Sequence, residues 1–234
     1  MTLAARDDAA RELMDDPGCD AAMLERTYRR FAAVNALVAA PRGLYRRWIR
    51  PRLRPDRPTR LLDIGTGGAD LPRRLLGWAR RDGLQLEAVA IDPDERAIRY
   101  ARSLPAVAGL RLIAADSAEL VAHGERFDVV VSNHVLHHLG REELGALLAD
   151  SERLLAPGGV AVHGDIERSR AAYAAYAALT WPLQGNVLRG TFIRADGLVS
   201  IRRSRTAAEL AAVVPPGWRI RRGFPSRLEA VRAA

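Results

Sequence analysis

Apolar residues recur along this chain with two different periods, and the change from one to the other divides it. Over 21–38, Leu24, Tyr28, Phe31, Val34 and Val38 recur every three or four positions, with Glu25, Arg26, Arg29 and Arg30 opposite. That spacing predicts a helix with one buried stripe. A second, short helix is expected after Pro41, carrying Leu44, Tyr45, Trp48 and Ile49, and the Pro/Arg stretch 51–60 has linker composition. From residue 60, short apolar runs alternate with helical patterns. The runs predict strands over 60–64, 86–91, 110–114, 127–132 and 160–164, and the patterns predict helices over 70–81, 94–102 and 142–155. Pro72 suits a first helical turn, and Pro157-Gly158-Gly159 is expected to end the helix before it. The rhythm breaks over 168–205, which opens with an alanine-tyrosine helix at 171–180 and passes through Trp181-Pro182 and Gly185-Asn186. A helix over 206–213 and strands over 218–223 and 226–231 then close the sheet as a hairpin.

Alternating strands and helices predict an α/β fold, with a seven-stranded, mostly parallel sheet covered by helices on both faces. The expected organisation is a flexible N-terminus at 1–18, a helical lid and linker at 19–58, and one domain over 59–234. Within that domain, 168–205 is an insertion after strand five, lying over the strand ends.

Composition narrows the class. The 234 residues are 48% hydrophobic and 27% charged, which excludes a disordered chain. No run approaches the ~18 apolar residues of a membrane-spanning helix. The acidic start without an apolar core argues against a secretory signal, and the single Cys19 has no disulfide partner, so a cytoplasmic setting is expected. No CxxC or HExxH cluster occurs, and no metal is expected. The net charge is +8, and all 36 basic residues are arginine, a usage that follows codon bias in a GC-rich genome. Arginine gathers at 42–60 and 194–232, but neither stretch interleaves the aromatics that stack bases. Solvated faces or steering of an anionic ligand, rather than nucleic acid, are the expected roles.

In open parallel sheets ligands bind beyond the C-terminal strand ends, where strand order reverses. The first strand runs into Asp63-Ile64-Gly65-Thr66-Gly67-Gly68-Ala69-Asp70. Glycines there allow a sharp turn and close approach of a ligand, at a helix N-terminus that favours negative charge. A dinucleotide site would need a third glycine at position 70, where Asp70 would repel a pyrophosphate. Asp63 suits a ligand carrying an amine or another cation. Asp92, ending the second strand, presents a carboxylate that can accept two donors in a fork.

Five segments in order, LLDIGTGGAD (61–70), IDPDERAI (91–98), AADSAEL (114–120), VVVSNHVLHHL (129–139) and LLAPGGVAVHGD (154–165), resemble the motifs of class I S-adenosylmethionine-dependent methyltransferases. The resemblance implies a Rossmann-like fold and S-adenosylmethionine as cofactor. It implies that Asp63, Gly65, Thr66, Gly67 and Gly68 hold the methionine end, and Asp92 and Pro93 the ribose. Asp116, Ser117 and Ala118 would face the adenine, and Asn133 and His134 would also line the cofactor site. The third glycine of the first motif is Ala69 here, with Gly68 displaced by one place. The lead-in at 30–53 (RFAAVNALVAAPRGLYRRWIRPRL) is similar to that of ubiquinone- and menaquinone-biosynthesis members.

His134, His137 and His138 cluster beyond the fourth strand, with His163 and Asp165 ending the fifth, and His123 lies in a loop. A histidine suits general-base work on a hydroxyl, so the three are the catalytic candidates, with packing beneath the cofactor as the alternative. His138 aligns with the histidine of an E-H pair in ubiquinone-pathway and cyclopropane-type relatives, and His137 replaces its Glu. Tyr173, Tyr176, Trp181, Leu183 and Phe192 of the insertion offer surface for a small-molecule acceptor of phenolic, quinone-like or polyketide type, methylated on oxygen or carbon. An RNA methyltransferase using the arginine stretches is the alternative, although SNHV replaces the N/D-P-P-Y of amino-nitrogen methylation. A non-catalytic binding module is the other alternative. No oligomeric state follows from these patterns.

Overall fold

In the computed structural model residues 3–38 and 41–234 are described, without the side chains of 32–38, so the Val34 and Val38 side chains of the first helical stripe lie outside the description. Helix α1 spans Ala21–Val38, and α2 (Pro41–Leu44) continues through a wide turn at Tyr45–Ile49 and a tight one at Arg50–Arg52. Leu24 and Tyr28 of α1 are buried, and Tyr28 stacks on Tyr100 with ring centroids 5.2 Å apart.

Seven strands follow: β1 (Thr59–Ile64), β2 (Leu86–Asp92), β3 (Leu110–Ala114), β4 (Phe127–Asn133), β5 (Leu155–Ile166), β6 (Arg219–Gly223) and β7 (Arg227–Ala233). They form one sheet in the order β3-β2-β1-β4-β5-β7-β6. The first five are parallel, and β7 runs antiparallel between β5 and β6. This is the expected Rossmann-like arrangement. Interleaved are α3 (Asp70–Arg81), α4 (Glu95–Ser103), α5 (Ser117–Ala122), α6 (Arg141–Leu154), α7 (Arg170–Thr180), α8 (Ile193–Arg203) and α9 (Ala207–Ala211).

Strand alternation sorts the core. Leu62, Ile64 and Val130 pack on one face with Leu144, Leu148 and Leu154 of α6. Leu61, Val129 and Val131 pack on the other with Leu71, Leu75 and Leu76 of α3 and with Tyr45 and Ile49. Burying each such aliphatic side chain contributes about 1.5–3 kcal/mol. With both faces covered, the middles of the central strands, Leu61–Leu62 and Val129–Val131, are continuous apolar runs, with Asp63 and Ser132 as buried polar residues at their C-terminal ends.

Three features depart from the sequence reading. Pro157-Gly158-Gly159 does not precede the fifth strand but sits inside it as an irregularity, because Phe127 pairs with Leu155 and Val129 with Val160; Gly158 takes φ 77° there. The second half of the insertion is helical, as α8. Residues 3–18, expected as a flexible lead-in, lie against the histidine cluster, with Glu12 only 5% exposed. Arg6 donates to the carbonyls of His137 and Leu139 at 3.0 and 2.9 Å, which fastens this segment to the protein body. Among the described residues no helix is long and apolar enough to cross a membrane.

Candidate active site

The strand order reverses between β1 and β4, and a cavity of about 700 Å³ opens beyond their C-terminal ends. The turn after β1 is shaped by backbone geometry. Gly65 has φ 68°, and a Cβ there would lie 2.5 Å from Val135 Cγ2, so only glycine fits. Ala69, at the missing third glycine, still adopts the left-handed conformation (φ 59°, ψ 31°). This costs about 1–2 kcal/mol and is retained where the loop meets α3.

Asp63 is 2% exposed and accepts a hydrogen bond from the Thr66 hydroxyl at 2.6 Å. Burial pushes its carboxyl up to about 7, against the Thr66 hydrogen bond, and the neighbouring Asp70 and Asp92 add to the rise. Asp92 accepts the Gly67 amide on Oδ2 at 2.8 Å and the Asp94 amide on Oδ1 at 2.9 Å. One bond per oxygen leaves each with capacity to accept another donor, and burial raises this carboxyl too. The cap of α4 is the adjacent Asp94, which accepts from the Arg96 amide, so Asp92 is not spent on the helix.

Of the expected cofactor residues, Asp63, Gly65, Thr66, Gly67, Gly68, Asp92, Pro93, Asn133 and His134 line this cavity. Asp116, Ser117 and Ala118 are not among its lining residues. Asp116 instead caps α5 in a reciprocal box with Glu119, and the Ser117 hydroxyl donates to Asp150 at 2.7 Å. Of the insertion residues expected to face an acceptor, Tyr176 lines the cavity, whereas Trp181 is 70% exposed and Phe192 is buried.

The three histidines of the turn after β4, in the segment HVLHH (134–138), sit in three different environments. His134 has φ 62°, and its Nε2 accepts from Arg227 at 3.2 Å. Burial and the Arg227 cation push it down to about 3, so it is neutral. His137 Nδ1 lies 2.8 Å from Asp165 Oδ1, and Nε2 lies 3.2 Å from Glu12 Oε1. Burial opposes its charge, but the two carboxylates outweigh burial and push it up to about 10. It is an imidazolium with both N–H groups engaged, which is unable to accept a proton. The same contact holds Asp165 well below the ordinary carboxylate range despite its burial. His138 Nδ1 lies 3.2 Å from Asp15 Oδ2, and its Nε2 is 3.9 Å from Glu12 Oε2, beyond a hydrogen bond. His134 Nδ1 stands 3.9 Å from Asp165 Oδ1 and, because Nε2 accepts from Arg227, carries the proton of that neutral ring; of the three, His138 alone can offer a ring nitrogen as an acceptor in the cavity. His163, outside the cavity, is fully buried with Nδ1 bonded to the Ser132 hydroxyl at 2.8 Å.

The main chain of this turn is held by arginines. Arg203 donates to the carbonyls of His137 and His138 at 3.1 and 2.8 Å, and Arg205 to those of Leu136 and Leu139 at 2.7 and 2.9 Å. Glu12, His137 and His138 bring possible ligand atoms within 4.8 Å of one another, as do His134, His137 and Asp165. In each grouping His137 is the ring held close to a carboxylate, Glu12 at 3.2 Å in the first and Asp165 at 2.8 Å in the second.

Seven carboxylates line the cavity (Glu12, Asp15, Asp63, Asp70, Asp92, Asp94 and Asp196), against one arginine, Arg96. In a chain of net charge +8, that is a local potential suited to a cationic ligand. Glu12, Asp15, Asp196, Arg203 and Arg205 escaped the sequence reading. The signal that could have flagged the first two is the run of acids at 7, 8, 12, 15 and 16 heading an otherwise basic chain.

A glycine turn over a fork-like acid, at the switch point of a doubly wound sheet, defines a nucleoside-binding α/β domain. Residues 61–159 match the family profile described as a methyltransferase domain, in line with the enzyme class that the five motif segments resemble. It is 34% identical over 157 residues to the ubiquinone biosynthesis O-methyltransferase of Ruegeria pomeroyi, covering 64% of this chain and 60% of that protein. It is 32% identical over 124 residues to the enzyme of that description from Azorhizobium caulinodans, covering 52% and 46%. The chain thus spans about half to three fifths of the length of these curated relatives. Among solved structures, human N-acetylserotonin methyltransferase superposes with a TM-score of 0.62 at 11% identity, covering 92% of this chain and 56% of that one. The plantazolicin methyltransferase BpumL gives 0.56 at 14%, covering 88% and 84%. At such identities these two structures speak for the fold.

Proposed function

We propose that the protein transfers a methyl group from S-adenosylmethionine to a hydroxyl oxygen of a small phenolic, quinone-like or polyketide-type acceptor. The observation that carries this reading is one cavity with an acid-and-glycine cradle at one side and, at the other, a histidine with one ring nitrogen bound to a carboxylate and the other open. The names of the curated relatives, ubiquinone biosynthesis O-methyltransferases, support oxygen as the methylated atom.

The residues fit the cofactor. Asp63 is a buried carboxylate whose charged neighbours are acids, and an ammonium group would relieve it. Asp92 keeps lone pairs for the two ribose hydroxyls. Gly65 and Gly67 let main chain approach the ligand. When bound, the cofactor supplies a methyl group on a sulfonium, open to in-line displacement. The chain's own contribution is mainly positioning, worth up to ~7–11 kcal/mol in favourable cases. His138 Nε2 takes the acceptor's hydroxyl proton, while Asp15 holds Nδ1–H; base assistance of this kind contributes ~10²–10⁴ in rate. Met14, Phe31, Val135, Leu139 and Ile166 supply apolar wall for the acceptor's body. We place the protein in the cytoplasm, where a lone Cys19 stays a thiol.

The test is calorimetric titration with S-adenosylmethionine, followed by mass-spectrometric assay of S-adenosylhomocysteine release with catechol and a panel of simple phenols. Saturable heat and methylated phenol are expected. Absence of binding heat, or binding without turnover of any phenol, overturns the reading.

A further inference from the structure

The segment ahead of α1 lies outside the matched methyltransferase domain, yet it delivers two carboxylates to the histidine cluster. Leu13–Asp15 form a single tight turn, whose Leu13 and Met14 amides donate to the Asp196 carboxylate of α8 at 2.8 and 3.1 Å. From the cofactor side, Arg96 donates to the carbonyls of Met14 and Asp16 at 3.1 and 2.9 Å. The turn is therefore anchored to both walls of the cavity, and the side chains it carries are fixed in consequence. Asp15 Oδ2 stands 3.2 Å from His138 Nδ1. Glu12 receives the Ser200 hydroxyl at 2.6 Å, stands 3.2 Å from His137 Nε2, and has its other oxygen 3.9 Å from His138 Nε2.

The nitrogen that carries the proton of a neutral imidazole is set by the partner of the ring's other edge. We propose that Asp15 and Glu12 are positioning residues of the transfer site. Asp15 accepts the Nδ1 proton of His138 and so leaves Nε2 as the acceptor facing the cavity. Glu12 locks His137 alongside and presents a carboxylate to the His138 ring once Nε2 has taken the proton. The kinetic consequence rests on the methyl-transfer reading; the tautomer does not.

Two-bond nitrogen–proton correlation spectra of the full chain, with His138→Gln to assign the signal, read the tautomer directly. Neutral His138 is expected to carry its proton on Nδ1, and Asp15→Ala, at a half-exposed position, to move it largely to Nε2. With S-adenosylmethionine and the fastest phenol of the panel, Asp15→Ala and Glu12→Gln should each lower kcat about tenfold to hundredfold. Cofactor affinity should fall far less than kcat, and Asp15→Glu should recover part of the rate. An Nε2–H tautomer in the unmodified protein, a tautomer that ignores Asp15→Ala, or kcat losses matched by equal losses of cofactor affinity would each overturn the proposal. Should no phenol be methylated, the methyl-transfer reading fails, while the tautomer still decides whether Asp15 positions the ring.

Discussion

Asp63→Asn should stabilise the ligand-free protein at alkaline pH and cripple it as a receptor. Asp63 rises from its ordinary value of 3.8 to about 7 because burial disfavours its charge. Between those two values the unfolded chain has released this proton and the folded protein has kept it. Stability therefore falls as pH climbs through that window, by about 1.4 kcal/mol per pH unit, and levels off above the folded value. The accumulated cost above pH 7 is on the order of 4 kcal/mol. Asparagine keeps an oxygen for the Thr66 hydroxyl but carries no charge, so it escapes that cost. Thermal melts of the two proteins side by side should show almost no difference near about pH 4 and a Tm gain on the order of 10 °C for the variant near about pH 8.5. Taking the difference between the proteins at each pH cancels every other titrating group. Calorimetry should show the reverse ranking for S-adenosylmethionine: affinity for the unmodified protein rises with pH up to about 7 and then levels, and the variant binds weakly at every pH. A variant no more stable than its parent at alkaline pH, or a gain equal at both pH values, would refute the argument that Asp63 is a charge kept for a cationic ligand.

Other positions give equally direct readouts. Gly65→Ala places a methyl group 2.5 Å from Val135 Cγ2 at φ 68°; denaturant unfolding should show a loss of about 2 kcal/mol or more, with part regained on adding Val135→Ala. Asp92→Ala should remove most cofactor affinity in calorimetry while the melting curve stays cooperative, since Asp94 rather than Asp92 caps α4; unchanged affinity would remove the ribose assignment. His163 is held neutral, pushed down to about 3 by burial, so the unfolded chain takes up a proton first as pH falls below its ordinary 6.5. Stability is then lost with acidification by about 1.4 kcal/mol per pH unit, and His163→Phe should make the acid limb of stability against pH shallower, as read by urea unfolding.

What could be read from the sequence is what is written locally. The Asp63–Asp70 turn, Asp92 and the β-α alternation each sit within one short window, where periodicity and glycine placement speak for themselves. Where a local pattern has two uses, the sequence shows only one of them: Asp116, expected at the adenine, also caps its own helix α5. Helix α8 was obscured by Gly197 in its middle, a residue that lowers helix propensity. Its reason is tertiary, since a Cβ at that position would lie 2.2 Å from the Tyr176 hydroxyl of α7. The acidic run at 7–16 could flag Glu12 and Asp15 as unusual, but not as partners of the histidines. Asp15 and His138 are 123 positions apart, and nothing in the neighbourhood of either one encodes their meeting.

The same distinction resolves the arginine excess. Of the nine arginines at 194–232, three (Arg203, Arg205 and Arg227) are buried. Arg203 and Arg205 satisfy carbonyls of the turn that carries the histidines, and Arg227 donates to Asn133 and His134. These are uses for which a planar, forked donor is suited and a lysine is not. They also explain how three adjacent imidazoles acquire separate roles. Burial and then Arg227 withhold charge from His134, the carboxylate pair imposes it on His137, and the carbonyl clamps fix the backbone of His137 and His138 so that His138 meets the N-terminal carboxylate. A count of arginines reads as a basic surface; their placement reads as scaffolding around an acidic cavity, and it is the placement that bears on chemistry.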